Sequence, residues 1–380
     1  MFIDLLIKLI VVLLPTQFGL HFWPDFSRVA GVKIDYLSPT IYFVDLLLVL
    51  LTVLTLPQVI ALLKKHLFLC FSILIFIIIN TLFAQSPLNT LFWWIRLLLY
   101  IFTFLSLRTR HLSWKTIETP LLLSSILVIS IQILQTIFQS SLGGPLYLLG
   151  ERAYTISTPG IARLNFFGYD FVRAPSVFSH PNSLAGYLLI VYYLFSLNAT
   201  KKWYRIVPFL GIVMSLSKSA LLTLFLLIIN TRPVILISLS IIITVLEPSL
   251  LVYRTTWQSV SDRLFFFPYL QKILRQHPFL GTGYGGFIPA LGEALPGSFL
   301  TPSKLQPIHN LFYLYLSELG LFGSLLFLLV FVKNKILQSV SNPQTQQLVG
   351  IILLSGCFDH FFWTLPQNKL IVIFALSILL

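Results

Sequence analysis

Charge is scarce in this chain. Only 10% of its 380 residues are Asp, Glu, Lys or Arg and 57% are apolar, whereas a soluble domain carries about 25% charged residues. With a mean hydropathy of +0.91, an ordinary soluble fold is excluded and a multispanning membrane protein is expected. Acidic side chains are the rarer charge: there are 12, no two closer than ten positions apart. That spacing excludes an Asp-x-Asp metal motif and a local carboxylate pair. Cysteine is nearly absent too. Cys70 and Cys357 both fall in apolar runs, so no disulfide framework is expected and the redox compartment cannot be read from them. Neither Cys-x-x-Cys nor His-Glu-x-x-His occurs. No metal is therefore expected, although a dispersed site is not excluded. Repeats, heptads and low-complexity tracts are missing as well, so residues 1–380 read as a single integral membrane domain.

What charge there is leans to one sign. The formal net charge is +13, but the basic residues are dispersed among hydrophobic spans rather than set in a stripe with interleaved aromatics, which argues against nucleic acid. Anionic lipid and phosphate are the expected partners. An ionised residue at helix depth costs about 2.5–3.5 kcal/mol unless it faces the interior or snorkels, so charges here mark edges or sites. Residues 1–23 carry Lys8 mid-stretch and have neither a basic leader nor a small-residue cleavage site; a retained first span is expected.

A crossing needs about 20 apolar residues. On that measure the spans are 3–20, 41–62, 67–83, 91–107, 119–139, 182–198, 206–217, 219–230, 233–247, 309–332, 347–362 and 369–380, an all-α polytopic protein of about twelve transmembrane helices. The short-loop cations Lys64-Lys65, Arg108/Arg110/Lys115, Lys201-Lys202/Arg205, Arg232 and Lys333/Lys335 fall in every second gap. The positive-inside rule then places both termini in the cytoplasm. The segments 140–181 and 248–308 lie outside and are expected to form the active-site face. The second is basic, with Arg254, Arg263, Lys272, Arg275 and Lys304 against Asp262 and Glu293, as suits an anionic lipid headgroup.

Three constellations carry chemistry. In Arg173-Ala-Pro-Ser-Val-Phe-Ser-His180-Pro181-Asn182 the last three residues read as a capped helix start, whereas the Arg173 fork suits phosphate oxygens. Arg263 precedes His277-Pro-Phe-Leu-Gly-Thr-Gly-Tyr-Gly-Gly-Phe287, a glycine loop able to present backbone N–H groups to an anion or simply to make a tight turn against close backbone. No nucleotide-binding glycine motif is present. In Pro307-Ile308-His309-Asn310 an imidazole at a span mouth is a candidate general base for a hydroxyl. Glu318 sits half a turn out of phase with His309 on one helix, so any carboxylate that orients His309 comes from elsewhere.

These stretches, together with Ser215-Leu-Ser-Lys218-Ser219 and Glu318-Leu-Gly320, resemble the O-antigen ligase and polymerase superfamily, which also takes in protein O-oligosaccharyltransferases. The resemblance implies a GT-C-like membrane glycosyltransferase in the bacterial cytoplasmic (inner) membrane, with a large late extracytoplasmic loop. It implies transfer of a glycan from an undecaprenyl-diphosphate carrier to a glycan, lipid or protein hydroxyl, with inversion and with neither metal nor cofactor. By motif position, Arg173, Arg263 and Lys218 would hold the diphosphate and His309 would be the base. His180, Asn182, Arg254, His277 and Asn310 are secondary candidates. Relatives commonly have Ser-Arg where this chain has Ser217-Lys218, which leaves a point charge in place of a bidentate fork.

Two rivals come from other classes. A twelve-span transporter or flippase of lipid-linked sugars would place ionisable groups near the midplane, where Lys8, Asp45, Arg96 and Glu318 are the candidates. A noncatalytic envelope scaffold would tolerate loss of Arg173, Arg263 or His309.

Overall fold

The computed structural model describes residues 1–252, 263–333 and 342–380; Arg254 lies outside them. Ten helices precede the second long loop: α1 Phe2–Leu13, α2 Phe43–Leu54, α3 Leu56–Leu63, α4 Leu67–Leu82, α5 Pro87–Thr109, α6 Trp114–Phe138, α7 Pro181–Asn198, α8 Ile206–Ser215, α9 Lys218–Ile228 and α10 Pro233–Leu246. Within the loop lie α11 Phe267–Gln276 and α12 Phe287–Ala294, followed by α13 Leu311–Lys333, α14 Pro343–Gly356, α15 Phe361–Thr364 and α16 Pro366–Leu379. Among the described residues, three stretches are long and apolar enough to cross a membrane by themselves, Leu56–Leu82, Pro87–Thr109 and Trp114–Phe138. The chain is not purely α: antiparallel pairs join β1 Gly19–His21 to β4 Thr40–Tyr42, β2 Arg28–Val29 to β3 Val32–Lys33, and β5 Arg163–Phe166 to β6 Tyr169–Val172. All three sit in segments between helices, where the composition is too polar for spans.

Several expected spans are shorter or broken. The first ends at Leu13 because the chain turns into β1, and the second breaks at Thr55, whose hydroxyl bonds Ser106 of α5. Helices α8 and α9 have 10 and 11 residues. Each is thus about 15 Å long, half the hydrocarbon thickness of about 30 Å, and they meet at Leu216 in a left-handed turn.

Lipid explains the outer surface. Leu67, Phe68, Phe71, Leu74, Ile78 and Leu82 of α4, and Val234, Ile241, Val245 and Leu246 of α10, are exposed apolar side chains; such a band is stable against hydrocarbon rather than water. Helix α7 is the opposite case, with Leu184, Ala185, Tyr187, Leu188, Leu189, Ile190, Val191 and Leu194 all buried. A helix apolar all round belongs in a core, and α7 packs against α6, α8, α9 and α16.

Two of the sequence constellations meet in the interior. Helix α13 has a break at Gly320, with φ 62 and ψ −167, a backbone region open essentially to glycine alone. Into that break fits the loop after α11: the N–H groups of Thr282 and Gly283 donate to the carbonyls of Ser317 and Glu318, and those of Leu321 and Phe322 donate to Pro278 and Phe279. A Cβ at Gly320 would stand 2.4 Å from the Phe279 carbonyl oxygen, and one at Gly281 would stand 2.4 Å from the Glu318 carbonyl. The glycine loop is thus a close backbone crossing. It fixes the large loop to α13, two turns below the start of that helix beside His309.

Candidate functional site

One cavity of about 1530 Å³ gathers side chains far apart in sequence: Arg173, His180, Asn182, Lys218, Arg263 and His309 all line it. Arg96, Arg152, Arg163 and Lys304 line it too, against Asp35, Glu151 and Asp359. Seven cations face three carboxylates, and even with Arg96 and Arg163 paired to Asp45 and Asp170 in the wall the lining is positive, so the cavity suits an anion. Glu151 is already taken, accepting from Gln135 Nε2 and from the backbone N–H groups of Leu142 and Gly143.

Arg173 follows β6, and its backbone N–H donates to the Ala162 carbonyl at the base of the hairpin. Its Nε donates to the Ser215 carbonyl at the end of α8 (3.0 Å) and its Nη2 to Asn182 Oδ1 (2.9 Å). Asn182 passes the connection on, its Nδ2 donating to Asp359 Oδ2 at 3.1 Å. His180 caps α7 by accepting from the Asn182 N–H, and Pro181 occupies the first turn. The capping expectation holds for these residues, while the Asn182 side chain does a second job in the cavity wall.

His309 stands just before α13. Its Nδ1 lies 3.7 Å from Asp359 Oδ1, and its side chain is 26% exposed against 10% for Asp359 and 4% for His360. The imidazole reaches the cavity; its partners stand behind it. His360 Nε2 is 3.8 Å from the same oxygen, the two imidazole rings are 5.4 Å apart, and Thr364 Oγ1 is 2.8 Å from His360 Nδ1. With Asp359 facing Nδ1, the Nε2 atom of His309 is the one left for a substrate.

Burial alone would raise the Asp359 carboxyl. The imidazole of His309 in contact with it and the potential of His360, His309 and His180 outweigh burial and hold it well below the usual carboxylate range. Burial also lowers His180 and His360 to about 4, with Asp359 only partly opposing it. The Arg173 guanidinium is lowered by burial too, again opposed by Asp359, and stays protonated.

These directions fix a sign for acid stability. The unfolded chain binds protons at His near pH 6.5 while folded His360 waits until about 4, so stability falls as pH drops through that window, by up to about 3 kcal/mol for this one group. Asp359 adds a further loss only below its unfolded value, near ~3.9. In detergent, the melting temperature should be level above pH 7 and decline between pH 6.5 and 4, and His360→Gln should flatten that decline.

His309, Asp359 and His360 also offer three donor atoms within 4.8 Å of one another, the set in this cavity able to hold a divalent ion.

Not every candidate reaches the cavity. Asn310 is buried and caps α13, its Oδ1 accepting from the N–H groups of Phe312 and Tyr313, while its Nδ2 donates to Glu247. His277 ends α11 and is not among the lining residues. Arg96 pairs with Asp45 at 2.9 Å in the buried wall and donates to the Thr40 carbonyl, beneath the rings of Tyr42 and Phe92. The pair compensates both charges inside the wall. Glu318 accepts from Trp363 Nε1 at 2.7 Å, away from His309.

Residues 181–328 match the family model described as O-Antigen ligase. That match supports the resemblance to the O-antigen ligase and polymerase superfamily. No curated protein and no solved structure gives a match to the chain. The O-antigen ligase segment contains Asn182, Lys218, Arg263 and His309, whereas Arg173, Asp359 and His360 lie outside it and join it only through the fold. Sequence reasoning missed the last two. Its span 347–362 ran straight through Phe358-Asp359-His360-Phe361, although an ionisable pair at the end of an apolar run is itself a site signal.

Proposed function

We propose that this protein is a membrane glycosyltransferase of the ligase or polymerase type. It takes a glycan from an undecaprenyl-diphosphate carrier and joins it to a hydroxyl of a glycan, lipid or protein acceptor, with inversion at the transferred sugar and without a metal. The observation that carries this reading is the cationic cavity whose wall holds Arg173, Lys218 and Arg263 together with His309, backed by Asp359. His309 Nε2 takes the acceptor proton as the acceptor oxygen attacks the anomeric carbon. The bond from that carbon to the diphosphate oxygen breaks, and the diphosphate leaves with the electron pair. Asp359 holds the imidazole in the tautomer with Nδ1 protonated and stabilises the imidazolium that forms. The guanidinium groups meet the charge growing on the leaving diphosphate.

In this reading the chain crosses a bacterial inner membrane about twelve times, with both termini cytoplasmic and the cavity facing outside. Contacts between helix ends support the alternation. Asp45 and Thr55 of the second crossing meet Arg96 and Ser106 of α5 in the same direction, while Glu118 near the start of α6 meets Thr200 after α7. Of the four candidates of the transport reading, Arg96 and Asp45 are paired with each other.

Purified protein should join a lipid-diphosphate-linked glycan to an acceptor at an undiminished rate in excess EDTA. Loss of turnover on chelation, restored by a divalent ion, would reassign His309, Asp359 and His360 to a metal. Movement of intact lipid-linked sugar across liposomes with no glycosidic bond made would give the protein to the transporters.

A further inference from the structure

The hairpin β5–β6 is amphipathic with a period of two. Its register sets Leu164 opposite Phe171 and Phe166 opposite Tyr169, and alternation puts these four on one face. On the other face Asn165 Nδ2 donates to Asp170 and Arg163 pairs with Asp170 at 3.7 Å. The polar face satisfies itself; the apolar face is bare, with Phe166, Tyr169 and Phe171 exposed by 57%, 74% and 43%.

At the tip stand Phe167 and Gly168, with φ 50 and 85, a turn that prefers Asn or Asp ahead of Gly. A bulky aromatic in the left-handed region is a genuine outlier. Phe167 is also 87% exposed, its ring 4.5 Å from that of Phe166 and edge-on to it, so neither turn chemistry nor burial accounts for it. The hairpin hangs from a membrane-crossing helix: the Val172 N–H donates to the side chain of Gln139, directly after α6. The last two residues of α6, Ile137 and Phe138, are exposed and apolar. The hairpin is thus tied at its base to the end of a helix that carries exposed apolar side chains, with Leu164 at the cavity rim and the rings of Phe166, Tyr169 and Phe171 beyond it.

We infer that the tip and apolar face of β5–β6 dock into the lipid surface beside α6, with the aromatic rings at the boundary between headgroups and acyl chains. Tyr and Phe beside an Arg is the side-chain mixture that this boundary favours. Docking has a consequence inside the cavity. Arg173 follows β6 directly, and its backbone is bonded to Ala162 ahead of β5, so seating the hairpin in lipid sets the position of that guanidinium.

The test uses the full chain in phosphatidylethanolamine–phosphatidylglycerol vesicles, with Cys70→Ser and Cys357→Ser so that one introduced cysteine carries a bimane label. Labels at Phe167→Cys and Tyr169→Cys should be quenched severalfold more by phosphatidylcholine bearing a nitroxide near the headgroup than by aqueous iodide, and a label at Asn165→Cys should show the reverse. Melting temperatures of the three labelled proteins report whether each is folded. Equal iodide quenching at 167 and 165 would overturn the inference, and so would shielding of 167 from both quenchers, which would place protein on the face. No glycan transfer enters the readout, so this result stands apart from the enzymatic reading.

Discussion

Replacing His309 with alanine should lower turnover by about 10²–10⁴-fold, the range for loss of a positioned general base, while leaving the melting temperature close to that of the parent. The imidazole is partly exposed on the cavity side and touches the rest of the protein chiefly through Asp359 and His360, so little packing is lost. His309→Gln should fail as fully, because an amide keeps the size but accepts no proton. Asp359→Asn tests the backing carboxylate separately. It keeps the shape and the contact with Asn182 but removes the charge that stabilises an imidazolium, so kcat should fall with little change in KM. The assay is transfer from a lipid-diphosphate-linked glycan in detergent at saturating acceptor. Full activity in His309→Ala would take the imidazole out of the chemistry.

The sequence made some of this site legible and hid the rest for a physical reason. Arg173, Arg263 and His309 stood out because charge is costly in so apolar a chain, and Lys218 stood out through the family resemblance of Ser215-Leu-Ser-Lys218-Ser219. The fold brings those four to one cavity. Asp359 was invisible because its partners are Asn182 and His309, distant in sequence, and no local spacing encodes that contact. The glycine loop was legible only as an ambiguity between anion cradle and tight crossing. What decides between them is Gly320 on another helix, whose positive φ lets Phe279 and Gly281 approach. Helix boundaries went astray where hydropathy continues but the backbone turns, as after Leu13 and at Thr55. The β5–β6 hairpin read only as structured loop, since four-residue strands with Gly between them give too short a pattern for periodicity to register.

Arg173→Ala should cost about 10²–10³-fold in kcat, the scale of removing one preorganised donor aimed at developing charge. Arg173→Lys should recover little of that loss. The guanidinium uses Nε on the Ser215 carbonyl and Nη2 on Asn182, which leaves the Nη1 edge for a phosphate oxygen. A lysine ammonium is a single point on a flexible stem and cannot hold two wall contacts while presenting a third donor in a fixed direction. The same geometry predicts that Asn182→Ala weakens the enzyme through Arg173 and Asp359 together. Its effect should therefore be less than additive with Arg173→Ala, because one network is being cut twice. Rates for the two single variants and the double variant, measured at saturating donor, decide it. Strict additivity would mean that Asn182 acts independently of Arg173, and full rescue by lysine would mean that position 173 supplies only charge.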